Sequence, residues 1–255
     1  NKQVYVYNYV TESTFDAYLY QTLENKQKFI SQIMTSKSPM RSCDDIDEQA
    51  LSYAEINGDA TKIIVELEAK LGRKLRGVKV VTQIGAITKN KRQNVLISVI
   101  ADLRNLGEDV VGLVVGDTIT EADRNFKREL EQRIEDCGIK NQIVWMGFRS
   151  DIGDILAATD CVFVPSEEGL SLVAMEAMSA KRQVVTMNSS GAYELLNHAG
   201  CGTFYKEDDE SSVANAVKKV LETPNAEETE RGYAFCREQT NANFKKEITS
   251  LFLNA

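Results

Sequence analysis

Residues 160–178 read DCVFVPSEEGLSLVAMEAM: a short apolar segment, a turn and a stretch of helical periodicity in succession. The segment Asp160 to Val164 is brief and β-branched, so it reads as a buried strand, while Leu170, Val173, Ala174 and Ala177 recur at helical spacing. In a strand-turn-helix unit the turn lies at the carboxyl end of the strand. There the free N–H groups and partial positive charge of the helix N-terminus favour an anion. Gly169 lets the backbone come close to such a ligand. Glu168 falls at the turn and Glu176 eight positions later, roughly 12 Å along a helix that rises about 1.5 Å per residue. That separation suits a ligand with hydroxyls at both ends and a diphosphate between them, the shape of a nucleotide sugar. Taken alone, the same pair equally describes two solvated surface charges.

The 255 residues are 43% hydrophobic and 27% charged, a balance that suits a soluble globular chain of one large domain or two smaller ones. A net charge of −8 argues against a protein whose main affinity is for nucleic acid, which needs clustered Lys and Arg; a local patch such as TKNKRQ, Thr88 to Gln93, is all that could serve. The cysteines, Cys43, Cys137, Cys161, Cys201 and Cys236, are odd in number and never in C-x-x-C spacing. Neither a disulfide framework nor a zinc site is indicated, and the expected setting is a reducing cytoplasm. His198 is the only histidine, which excludes machinery built on several. No apolar run approaches the about 20 residues of a membrane span. The start, NKQVYVYNYV, lacks the apolar core of a secretion signal and an initiator Met, so a fragment of a longer protein is expected.

From about Val78 to Leu253 candidate strands and helices alternate: GVKVVTQIG, NVLISVIADLRNLG, VVGLVVG, NFKRELEQRIEDCG, QIVWMG, SDIGDILAATD, CVFVPS, GLSLVAMEAMSA, QVVTM, GAYELLNHAG, GTFYK and SSVANAVKKVLET. That alternation predicts an α/β fold, a doubly wound parallel sheet with helices on both faces and ligands at the carboxyl ends of its strands. The pattern changes character near residues 57–76, which reads as a boundary between a segment at 1–60 and an α/β domain at 61–255. The first part predicts a strand in QVYVYNYV, a helix with Phe15, Leu19, Leu23, Phe29, Ile30 and Ile33 on one stripe and Thr11 or Ser13 as its cap, a polar loop, and a second helix from ALSYAEI.

Two family resemblances follow. Over about residues 3–57, YVTESTFDAYLYQTLENKQKFISQIM and DEQALSYAEI resemble the tail of the SNF2-like helicase module of phage and mobile-element helicase/adenine-methyltransferase proteins. No G-x-x-x-x-G-K-[ST] phosphate loop occurs, so the resemblance implies no helicase activity. Over about residues 78–253, VVTQIGAITKNK, VGLVVGD and IVWMGFRSDIGDILAATDCVFVPSEEGLSLVAMEAMSAKRQVVTMNSSGAYELL resemble the C-terminal, donor-binding domain of the group 1 (GT-B, family 4) glycosyltransferases. The family's E-x7-E pattern is met by Glu168 and Glu176, framed by VPS, EAM and SGAYE.

The second resemblance implies the Rossmann-like donor half of a retaining hexosyltransferase with a UDP- or GDP-linked donor and no metal or other cofactor. It implies that Glu176 holds the ribose hydroxyls, that Glu168 contacts the donor sugar, and that the N–H groups of Gly169, Leu170 and Ser171 cradle the diphosphate. Lys91 would neutralise the leaving diphosphate, Gly85 would leave room at the turn after the first strand, and Gly147 and Arg149 would lie in the loop lining the base pocket. Arg149 reads equally as surface charge, and Lys91 as a solvated loop lysine. Ser190, Gly191 and Glu194 match the Gly-Gly-x-x-Glu turn, whose expected job is structural. The chain departs from the family at Ala86 in place of Arg, at Ser171 and Ser190 in place of glycines, and at Gln183 in place of a proline. The acceptor-binding domain has no counterpart in residues 1–60, so a partner chain carrying it is implied. The competing readings are a non-catalytic nucleotide-sugar-binding subunit and, from the first 57 residues, an accessory of a DNA-modification helicase.

Overall fold

The computed structural model describes residues 58–167, 171–206 and 210–238, with residues 210 and 211 described by their backbone only. Glu168, Gly169 and Leu170 lie outside the described residues, as do the strand and helices expected before residue 58.

The first element is helix α1, Ala60–Leu71, which the alternation pattern does not predict. Asp59 caps it by accepting from the Thr61 N–H, and Gly72 ends it in the left-handed region. Strand β1, Lys79–Ile84, follows, then helix α2, Gln93–Asn105, and strand β2, Val110–Val115. Every residue of β2 is buried, as expected for a strand covered on both faces. Helix α3, Glu121–Asp136, opens on a capping box between Thr120 and Asp123. Next come β3, Ile143–Gly147; α4, Ile152–Ala157; β4, Cys161–Val164; α5, Leu172–Ser179; β5, Gln183–Met187; α6, Gly191–His198; β6, Thr203–Tyr205; α7, Glu210–Glu222; and α8, Ala226–Glu238. Each strand and helix expected after Val78 is present within the described residues.

The strands pair in parallel in the order β3-β2-β1-β4-β5-β6. This is a doubly wound sheet whose order reverses between β1 and β4. Alternate side chains feed two layers, because successive residues of a strand point to opposite faces. On one face Val81, Val110, Val114, Phe163 and Val185 meet α2, α3 and α7. On the other, Val80, Val111, Leu113 and Val144 meet Ile63 and Leu67 of α1 and Ile155 of α4, while Val162 and Val184 meet Ala174, Leu196 and Cys236 of α5, α6 and α8. The reversal opens a crevice at the carboxyl ends of β1 and β4.

Candidate functional site

A cleft lies at that crevice, lined by Gln83, Ile84, Lys91, Phe163, Val164, Pro165, Ser166, Ser171 and Val173. Its floor is the end of β1. There Gly85 (φ +144°) donates to the Val115 carbonyl at 2.8 Å, and Gly116 (φ +138°) donates to the Gly147 carbonyl at 2.8 Å. Three strands therefore end in glycines that knit their carboxyl edge together.

Lys91 ends a short 3-10 turn, Lys89–Lys91, and its N–H is accepted by Thr88 Oγ1 at 3.4 Å. Its aliphatic stem lies over Gly85: a Cβ on that glycine would come within 3.3 Å of Lys91 Cε and 3.6 Å of Nζ. A side chain at position 85 would therefore oblige the Lys91 stem to give by a few tenths of an ångström. Burial pushes the Lys91 ammonium below the usual lysine value, so an anionic ligand would relieve a charge held out of water.

The helix wall starts at Ser171, which is fully buried and accepts from the Ala174 N–H at 3.3 Å as the cap of α5. Glu176 follows in the same helix, and burial alone pushes its carboxyl above the ordinary glutamate range. It is not among the residues lining the cleft.

Gly147 and Arg149 stand at the end of β3, separated from β1 by β2. The Arg149 guanidinium is only 17% exposed and is engaged on both edges, by Asp151 at 2.7 and 2.8 Å and by Glu66 of α1 at 2.9 and 3.0 Å. Lys62 reaches Asp151 at 3.2 Å, and the Asp59 N–H donates to Asp154 at 2.8 Å. These bonds fasten α1 to the loop after β3. The next residue out, Phe148, is 82% exposed.

The bidentate Arg149 contact holds Asp151 well below the usual carboxylate range. The folded state therefore binds this proton less readily than the unfolded state, and the pair's contribution is present above the unfolded value of about 4 and lost as pH falls beyond it. Arg149→Met is expected to cost about 1 to 2 kcal/mol near neutral pH, the worth of charge-assisted hydrogen bonds in a partly wet setting, and to flatten acid unfolding below about pH 4. Urea melts at a series of pH values from 7 down to 2 check both; a loss that does not shrink toward the acid end would refute the assignment.

Three of the four departures from the family pattern have local jobs. Ser171 and Ser190 each cap a helix, Ser190 by accepting from the Tyr193 N–H at 3.1 Å, and Gln183 Oε1 accepts from the Asn225 N–H at 3.1 Å ahead of α8. A glycine could make neither cap and a proline could not make the third bond. Gln83 went unnoticed in the sequence, although a glutamine inside KVVTQI is a polar residue in a buried strand, which is itself a signal.

Among the described residues, no helix is long and apolar enough to cross a membrane. The pattern of "Glycosyl transferases group 1" matches residues 67–235. The 2-deoxystreptamine glucosyltransferase of Streptomyces kanamyceticus is 26% identical over 164 residues, 63% of this chain and 41% of that protein. The lipopolysaccharide glucosyltransferase WaaG of Escherichia coli K12 is 25% identical over 160 residues, 60% of this chain and again 41% of the relative. The chain thus spans about two fifths of the length of these two curated relatives. Among solved structures, Anabaena HepE in complex with UDP and glucose superposes with a TM-score of 0.66 at 24% identity, over 78% of this chain and 54% of that one. The C-terminal domain of LpcC, a group 1 family protein of Francisella tularensis, superposes with a TM-score of 0.58 at 24% identity, over 72% of this chain and 95% of the other. The group 1 pattern begins inside α1, ends inside α8 and takes in all the described strands, so this chain belongs to the group 1 glycosyl transferases.

Proposed function

We propose that the chain binds a nucleotide diphosphate sugar, UDP- or GDP-linked, as the donor half of a transferase that moves a hexose with retention of configuration. The observation that carries this reading is the cleft at the sheet's reversal point, with Lys91 folded over Gly85 on one wall and the buried cap of α5 on the other.

In this reading the diphosphate lies between Lys91 and the N-terminus of α5, with Ser171 and the preceding Gly169 and Leu170 offering backbone N–H groups. Breaking the bond from the sugar to the diphosphate places negative charge on the departing oxygen. A fixed ammonium lowers the cost of that charge. Glu168 and Glu176 form the E-x7-E pair, Glu168 on the sugar and Glu176 on the ribose hydroxyls. The base lies toward Gly147, where Phe148 offers an aromatic face. Arg149 is engaged by Glu66 and Asp151, so its part there is to fix the loop. An acceptor-binding domain, whether further along the same polypeptide or on a partner chain, would complete the active site, because the residues here align with under half of each curated relative. The cytoplasm is the proposed setting, supported by four described cysteines that all remain free. Residues 3–57 are proposed to be an appendage resembling a helicase tail, outside the family match.

Calorimetric titration with UDP, GDP and ADP tests the reading through Glu176→Gln. The raised Glu176 carboxyl binds its proton more readily folded than unfolded, so stability falls as pH rises through the unfolded value toward the folded one. Removing the charge should therefore leave the free protein as stable or more so at pH 7. Nucleotide affinity should drop by about 1 to 2 kcal/mol through the loss of a carboxylate contact to hydroxyls. A folded wild type that binds none of the three ends the proposal.

A further inference from the structure

Two glutamines brace the loop between β1 and α2. Gln83 Nε2 donates to the Lys91 carbonyl oxygen, and Gln93 Nε2 donates to the Ala86 carbonyl oxygen at 2.9 Å. Both side chains are buried, with Gln83 3% and Gln93 0% exposed. Each fixes the stretch that carries Gly85 and Lys91, and each leaves Oε1 shut off from solvent without a hydrogen-bond partner. A buried acceptor with no partner is costly and uncommon in native proteins. The two glutamines differ in place: Gln83 lines the cleft beside Lys91, Ser166 and Ser171, whereas Gln93 does not.

We propose that Gln83 Oε1 is a specificity-determining contact that accepts a hydrogen bond from a hydroxyl of the donor sugar. The inference rests on the reading of the cleft as the donor site. An amide oxygen is acceptor-only, so the group that meets it must carry O–H or N–H. Phosphate oxygens are acceptors themselves and cannot satisfy it. With the base proposed toward β3, two strands away from β1, and the ribose hydroxyls proposed for Glu176, the sugar hydroxyls remain. Gln83 thus does two things with one side chain. Its N–H₂ end holds the backbone of Lys91, and its oxygen reads the group attached to the phosphate that Lys91 neutralises.

The test compares a nucleoside diphosphate with its sugar ester on the whole chain: UDP against UDP-glucose and GDP against GDP-mannose, by calorimetry, for wild type, Gln83→Met, Gln83→Glu and Gln93→Met. Gln83→Met is expected to lower affinity for the sugar ester about tenfold more than for the matching diphosphate, the worth of one hydrogen bond to a buried group. Gln83→Glu keeps an acceptor oxygen and should keep the preference for the ester. Gln93→Met should shift both ligands alike, because Gln93 is not among the residues lining the cleft. On wild type, a monodeoxy series of UDP-glucose should show one position whose hydroxyl is worth about tenfold. If Gln83→Met changes ester and diphosphate by the same factor, or every monodeoxy ester binds as well as the parent, Gln83 is only a brace for the Lys91 loop and the inference falls while the donor site stands. If wild type binds none of the four ligands, the donor-site reading falls and takes the inference with it.

Discussion

Gly116→Ala is expected to destabilise the protein by about 3 to 5 kcal/mol, combining left-handed backbone strain with a collision that cannot be relieved locally. Gly116 has φ +138°, and a Cβ there would lie 2.0 Å from the Gly85 carbonyl oxygen and 2.6 Å from its carbon. Both are backbone atoms, so no rotamer change removes the contact. Either β2 withdraws from β1, breaking a parallel register that runs from Lys79 and Val110 to Ile84 and Val115, or Gly85 moves and carries the Lys91 loop with it. Gly77 provides the comparison: its φ is +79°, but nothing lies within 4 Å of its added Cβ. Gly77→Ala should therefore cost only the conformational part, about 1 to 2 kcal/mol. Urea melts of the two variants side by side measure the difference. A Gly116→Ala midpoint within error of Gly77→Ala would show that the carboxyl edge is looser than its hydrogen bonds imply.

Lys91→Met should lower affinity for a nucleoside diphosphate by about 2 to 3 kcal/mol, roughly 30- to 150-fold, the range for a desolvated charge-assisted contact. Methionine fills the same space over Gly85, so the packing of the loop there is kept. The sign for pH follows. A lysine whose value is depressed by burial is stable in its neutral form, so diphosphate binding should weaken with rising pH earlier than an exposed lysine would dictate. Uridine, which has no phosphate, supplies the internal control and should bind wild type and variant equally. A loss shared by uridine and UDP would mean that Lys91 shapes the cleft without meeting the diphosphate.

Much of the sheet was legible because its signals are local. VVGLVV and CVFV are uninterrupted apolar runs, and a run of that kind has no stable home except between two layers of helices. The helix after β4 was likewise visible from Val173, Ala174 and Ala177. Strand order was not readable from such runs, since Val81 meets Cys161 across 80 residues and nothing local encodes that pairing. Arg149 shows the same limit at the scale of one side chain. In GFRS it reads as a ligand contact or a surface charge, yet its partner Glu66 lies 83 residues earlier in a helix that pattern reading had taken for boundary. Ser171 looked like a lost glycine until its bond to the Ala174 N–H gave it a job.

Helix α1 also changes where this protein can be divided. Ile63 and Leu67, both fully buried, cover Val80, Val111 and Leu113. An expression boundary set at the first strand, near Val78, would leave that apolar side of the sheet bare to solvent. A contiguous uncovered patch of this kind makes a soluble domain stick to itself. The smallest piece worth producing therefore starts ahead of the Asp59 cap, and a linker or cleavage site belongs before residue 58. For an engineer joining this domain to another protein, the joint is upstream of α1, and the helix travels with the sheet.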